Sequence, residues 1–99
     1  MPLAFRYHRV NVPSGTGHRS IEGSVTFGST VRSAGVALNG FLLDYDSTDH
    51  HINVVEADTN IVEWDGNKVT FEVECDYKDR NGDDRYSGWV AVTVVADVA

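Results

Sequence analysis

Cysteine is almost missing from this chain: Cys75 is the one thiol among 99 residues. An intrachain disulfide and a cysteine-based zinc cluster are therefore both excluded, and the fold has to rest on apolar packing. Cys75 falls in the apolar register of its segment, as expected of a small buried hydrophobe rather than of a nucleophile, which needs an exposed setting and a nearby base. Basic residues are also scarce, eight Lys and Arg against fifteen Asp and Glu, for a net charge of -7. Affinity for nucleic acid depends on cations that neutralise phosphates, so nucleic acid is not an expected partner. Long apolar runs are absent too. Arg6, His8 and Arg9 interrupt the first apolar stretch, and eighteen apolar residues never run together. The expectation is neither a signal peptide nor insertion into a membrane. That reading fits cytoplasmic synthesis, with non-classical release or incorporation into a particle.

What is present fits one ordinary domain spanning residues 1–99. Apolar residues make up 41% and charged residues 23% of the chain, which favours a globular core over disorder. Two domains would leave each half too small to be stable without staples. The charge is uneven: Arg6, Arg9, Arg19 and Arg32 face only Glu22 before residue 41, and nearly all other acids follow Phe41. Head-to-tail contact between copies would suit that distribution, as would a solvated acidic surface.

The decisive pattern has period two. Val69, Phe71, Val73, Cys75 and Tyr77 alternate with Thr70, Glu72, Glu74 and Asp76, sending one set to a core and the other to water. Asp65-Gly66-Asn67 has turn chemistry and joins this strand to a run over Asn60–Trp64, which predicts a hairpin. The polar loop Lys78–Arg85 leads to a last strand over Tyr86–Val95. There Trp89, Ala91 and Val95 lie on one side and Val90, Val92 and Val94 on the other, so both faces need cover. Such a strand belongs in the middle of a sandwich or in a subunit interface.

Shorter strands are expected at Phe5–Val12, Ser24–Phe27 and His51–Glu56, with Gly35–Tyr45 as one long strand or two joined at a bulge near Gly40. Pro13–Gly17 reads as a flexible loop and Asp46–Asp49 as another. Six or seven short strands with frequent turns predict an all-β fold, an antiparallel β-sandwich.

The succession Gly23-Ser24-Val25-Thr26-Phe27, Ala34–Phe41, a polar loop, His51–Val55, a turn at Asp65-Gly66 and Val69–Val73 resembles the H-type lectin domain over about residues 23–96. The resemblance implies a six-stranded sandwich that trimerises or stacks into hexamers and binds galactose- or GalNAc-type glycans near subunit boundaries. The family places an Arg on the strand after the polar loop and a Trp-His pair at the end of the next long strand. The matching positions here are Asn53 and Asp76-Tyr77, so the chain departs from the pattern at each, and its Trp89 comes earlier in the final strand. Amide, carboxylate and phenol can still hold sugar hydroxyls or stack on a pyranose. Asn53, Asp76 and Tyr77, with His50, His51 and Asp79 nearby, are the expected ligand-binding residues.

No metal or other cofactor is expected. His50 and His51 are neighbours on a strand and point to opposite faces, so together they do not clamp one ion. Asp79-Arg80-Asn81-Gly82-Asp83-Asp84 looks like an acidic calcium loop. It fails the EF-hand pattern, because its Gly stands between ligands and Val90 takes the place of the closing Glu, which leaves only a calcium site of another geometry. Neither a Gly-x-Ser-x-Gly elbow nor a His-Glu-x-x-His helix nor a phosphate loop occurs, so an enzyme is not expected. The competing expectation is a structural or adaptor subunit of a larger assembly, phage-tail-like, that uses the same fold to trimerise.

Overall fold

The computed structural model describes residues 2–47 and 51–99. Six strands follow one another: β1 (Leu3–Gly15), β2 (Arg19–Thr26), β3 (Val31–Tyr45), β4 (Val54–Asp65), β5 (Lys68–Lys78) and β6 (Tyr86–Val98). All pairings are antiparallel and form two three-stranded sheets. In sheet A the order is β1-β6-β3, and in sheet B it is β2-β5-β4. The all-β sandwich expected from the alternation is therefore present, drawn out to 49 × 18 × 17 Å.

The core lies between the sheets and follows from parity. In β5, Val69, Phe71, Val73 and Cys75 are fully buried, as are Val90, Val92 and Val94 in β6. Val10, Val12, Val25, Phe27, Leu43 and Tyr45 complete the packing. The expected hairpin at Asp65-Gly66-Asn67 is formed: Asp65 pairs with Lys68, and Gly66 takes φ 59°, which a glycine adopts without steric cost. Its two carbonyls also hold the neighbouring connection, accepting from Phe27 N and Val31 N at 2.8 Å each. The bulge expected near Gly40 is present as a register shift between Leu38 and Gly40.

Several boundaries differ from the sequence reading: β3 begins at Val31 rather than Gly35, β6 runs on to Val98 rather than Val95, and β4 begins at Val54, so His51 precedes the strand expected to hold it. β2 begins at Arg19 rather than Ser24, because Ser20, Glu22 and Ser24 continue the outward polar row while Ile21 and Val25 point inward. β4 is one strand, since Ala57, Thr59 and Ile61 keep the inward parity through the polar stretch between the two expected runs. β1 extends through Pro13 to Gly15, a place an edge strand allows to proline because no ladder bond is needed on the open side.

The two long flanks of the sandwich are closed differently. Between β1 and β2, Arg6 lies over the Phe27 ring at 5.0 Å, His8 meets Phe71 edge-on at 5.7 Å, and Arg19 lies over Tyr86 at 4.3 Å. Between β3 and β4, Leu38, Phe41, Val55 and Trp64 are left partly exposed.

Candidate functional site

The residues singled out from the sequence fall in different environments. Tyr77 is in the core at the loop end of the sandwich, where its ring meets Tyr45 at 4.8 Å and Tyr86 at 6.0 Å. Its place in the apolar register of β5 puts it there. Asp76, one residue earlier, points to the opposite face of sheet B and is 6% exposed, with Oδ2 3.4 Å from the Lys78 ammonium. Asn53 is exposed just before β4, and its backbone N donates to Lys78 O at 2.9 Å. His51 is exposed, and its carbonyl accepts from the Tyr45 hydroxyl at 3.4 Å. His50 lies outside the described residues. The fold thus brings His51, Asn53 and Tyr77 to one end of the molecule and turns Asp76 away from Tyr77.

That end is tied together by polar contacts. Asp79 Oδ1 accepts from the backbone N of Asn81 and Gly82 at 3.0 Å, so the Lys78–Arg85 loop is held by its own aspartate. One carboxylate oxygen each from Asp79, Asp83 and Asp84 lies within 4.8 Å of the others. Asp46 accepts from Ser87 Oγ at 2.6 Å and from Ser14, which in turn accepts from Arg85 Nε at 3.0 Å. These hydroxyl donors hold the Asp46 carboxyl below the usual range. Behind the loop, the Tyr86 hydroxyl donates to Gly17 O at 2.7 Å and accepts from Arg19 Nε at 3.3 Å. Burial pushes its phenol up to about 12, and burial also raises the neighbouring Cys75 thiol. Cys75 is fully buried, so it is a packing residue as its register indicated.

The outer faces of the sheets carry two further features, the first of which the sequence did not expose. On sheet B, Ser24 and Thr70 pair across β2 and β5, and Glu63 pairs with Thr70 from β4. The short side chains leave a shallow cavity of about 310 Å³, lined by Glu22, Gly23, Ser24, Glu63, Lys68 and Thr70. Elsewhere on this face the polar side chains engage one another, Ser20 with Glu72 at 3.2 Å and Asn60 with Glu74 at 3.5 Å. Around the cavity, among the described residues, Glu22, Ser24, Glu63, Lys68 and Thr70 have no side-chain hydrogen bond or ion pair within the chain. Sequence spacing could not show this, because the cavity depends on which short residues the register sets side by side.

Sheet A is the reverse. Its outward positions include Leu3, Phe5 and Tyr7 on β1, Ala91, Thr93 and Val95 on β6, and Ala37 and Leu42 on β3. Phe5 is 59% and Tyr7 56% exposed. Trp89 lies in the same face under the Arg9 guanidinium, 3.9 Å from its ring centre. The second apolar face of β6, visible in the sequence, therefore looks out through sheet A. No protein-family model matches the chain, and neither a curated protein nor a solved structure matches it.

Proposed function

We propose that this chain is a non-enzymatic carbohydrate-binding module that works as a homo-oligomer, its copies joined through the outer face of sheet A. One arrangement carries the reading: an apolar outer face on one sheet and, on the opposite sheet, a polar cavity with hydroxyls, carboxylates and an ammonium open to a ligand. Assembly through the first leaves the second free, so an oligomer presents several copies of a weak site at once.

Size and chemistry support each half. Three strands of thirteen residues or more, at about 3.3 Å per residue and about 4.8 Å between strands, give a face of roughly 600 Å² per copy. Two such faces reach about 1,200 Å², the lower bound of a stable interface. A second copy is the occupant that matches this surface, because an apolar face flanked by few charges meets an identical one without unpaired ions. The cavity volume is at the small end of ligand sites and suits one sugar ring, whose hydroxyls would meet Glu22, Ser24, Glu63, Lys68 and Thr70. Galactose- or GalNAc-type glycans are the first to test, on the resemblance to H-type lectins. The exposed Asn53 and His51 at the loop end remain a second contact region for a longer glycan.

An adaptor that assembles and binds no sugar is the second reading. It is favoured by the positions that match the family's sugar-holding pair, since Tyr77 is closed into the core and Asp76 is engaged by Lys78. Light scattering together with a glycan array separates the two. The lectin reading expects a dimer or higher oligomer that binds a sugar class, becomes monomeric in the Phe5→Asp/Tyr7→Asp double variant, and loses binding in Glu63→Gln/Thr70→Val. An oligomer silent on every glycan supports the adaptor, and a monomer overturns both.

A further inference from the structure

The register of sheet B gathers an imidazole and three carboxylates, one of them with an unsatisfied oxygen, on one part of its outer face. Arg19 pairs with Cys75, so His18, one residue earlier, stands beside Asp76. Glu56 pairs with Asp76 from the other side. Because β5 runs between β2 and β4, the His18 side chain must cross over β5 at Asp76 to reach β4. It does reach: His18 Nε2 lies 3.3 Å from Glu56 Oε1 and 3.7 Å from Glu74 Oε1.

Beneath it, Asp76 is more than nine-tenths buried although it points outward, consistent with cover from these neighbours. Its Oδ2 faces Lys78 Nζ at 3.4 Å, while Oδ1 is sealed from solvent and has no hydrogen-bond partner. A buried carboxylate oxygen without a donor is costly and calls for an ion or a water to complete it. The other groups in reach are Glu56, Glu74 and, next along β4 opposite Glu74, Asp58, with Asn60 Nδ2 donating to Glu74 Oε2 at 3.5 Å and Lys78 facing Asp76.

We propose that His18, Glu56, Glu74 and Asp76 form a binding site for a divalent transition-metal cation of the zinc type. An imidazole nitrogen with carboxylate oxygens suits zinc, whereas calcium and magnesium prefer oxygen alone. An ion seated at His18 Nε2 would require the Glu56 and Glu74 side chains to rotate toward it, since the ligand atoms of these residues do not yet converge as those of Asp79, Asp83 and Asp84 do. Asp76 Oδ1 would complete the set from below while Oδ2 keeps Lys78. The ion would bind His18 at Nε2 in competition with a proton. The ligands come from the lead into β2, from β4 and from β5, so the ion clips the two edge strands of sheet B across its central one.

The test is calorimetric titration of chelator-treated full-length chain with zinc chloride, and with calcium chloride at the same concentrations, followed by thermal melts of the same samples. Saturable 1:1 zinc binding that raises the Tm, with no such effect of calcium, is expected. His18→Ala and Glu74→Gln should each weaken it about tenfold or more, since even residues that only orient metal ligands have effects of that size. Asp83→Asn, in the separate acidic loop, should leave it unchanged. Should His18→Ala fail to fold, nitrogen NMR of the unaltered chain decides: the His18 Nε2 resonance should move on zinc addition ahead of His8 and His51. No saturable zinc binding, binding untouched by Glu74→Gln, or binding lost in Asp83→Asn would each overturn the site.

Discussion

β5 and β6 hold equivalent places, each the middle strand of a three-stranded sheet with the same core on its inner side. Their outer sides differ. β5 shows Lys68, Thr70, Glu72, Glu74, Asp76 and Lys78 to the outside; Glu72 and Glu74 meet partners on neighbouring segments, and Asp76 pairs with Lys78 along β5. β6 turns Trp89, Ala91, Thr93 and Val95 outward; Ala91 is buried between the neighbouring strands, while Trp89, under Arg9, and Thr93 and Val95 stay half-buried. A sheet with one core face needs nothing more than β5 provides, so the apolar outer side of β6 goes beyond what the monomer's fold requires. The difference between the strands is thus a difference in what each face is for: one to be wetted, the other to be covered.

Three measurements break or sharpen that contrast. The largest effect is expected at Gly88, where β6 passes so close to β3 that an added methyl group would overlap the Leu42 carbonyl. Its φ of 157° adds strain for any side chain. Gly88→Ala should cost about 3 kcal/mol or more in chemical denaturation, whereas Ala at Thr70, the open position on β5, should cost about 1 kcal/mol or less.

The second measurement follows stability into alkaline solution. Tyr86 at the start of β6 has its phenol raised by burial from 10.0 to about 12, so the folded chain holds that proton more tightly than the unfolded chain does. The resulting stability is fully present below pH 10 and is lost as pH rises from 10 through about 12, on the order of 2 kcal/mol in all. The raised Cys75 thiol acts in the same direction from about pH 9 upward. Tyr86→Phe should flatten the fall between pH 10 and 12, and an unchanged slope would mean the phenol is not the group responsible.

The smallest effect belongs to the paired outer face of sheet B. Ser20→Ala, which removes the exposed contact to Glu72, should change stability by about 0.5 kcal/mol or less. A loss several times larger would show that this face is more than a solvated surface.

Much of the fold was legible in the sequence because alternation is a local signal. β5, the Asp65–Lys68 hairpin, the bulge near Gly40 and the two-sided character of β6 can all be read from neighbours along the chain. The extents of β2 and β4 were not, since their polar middle stretches become strand only when β5 supplies hydrogen bonds. The site residues were harder still. Tyr77 carried two readings, an apolar register that put it inside and a resemblance that put it at a ligand, and the structure places it inside. The cavity beside Thr70 and the cluster around His18 join positions dozens of residues apart, and only the register of three strands reveals them.

The position of β6 has a further consequence, one for the order of events during synthesis. β1 and β3 both hydrogen-bond to β6 and not to each other, with Leu3 paired to Asp97. Neither can settle into a sheet until the ribosome has released the last of these strands, while β2, β4 and β5 can pair earlier around their short hairpin. Until then the apolar side chains of β1 and β3 stay open to other chains, so nascent copies translated close together on one message could meet through the very strands that later share a face.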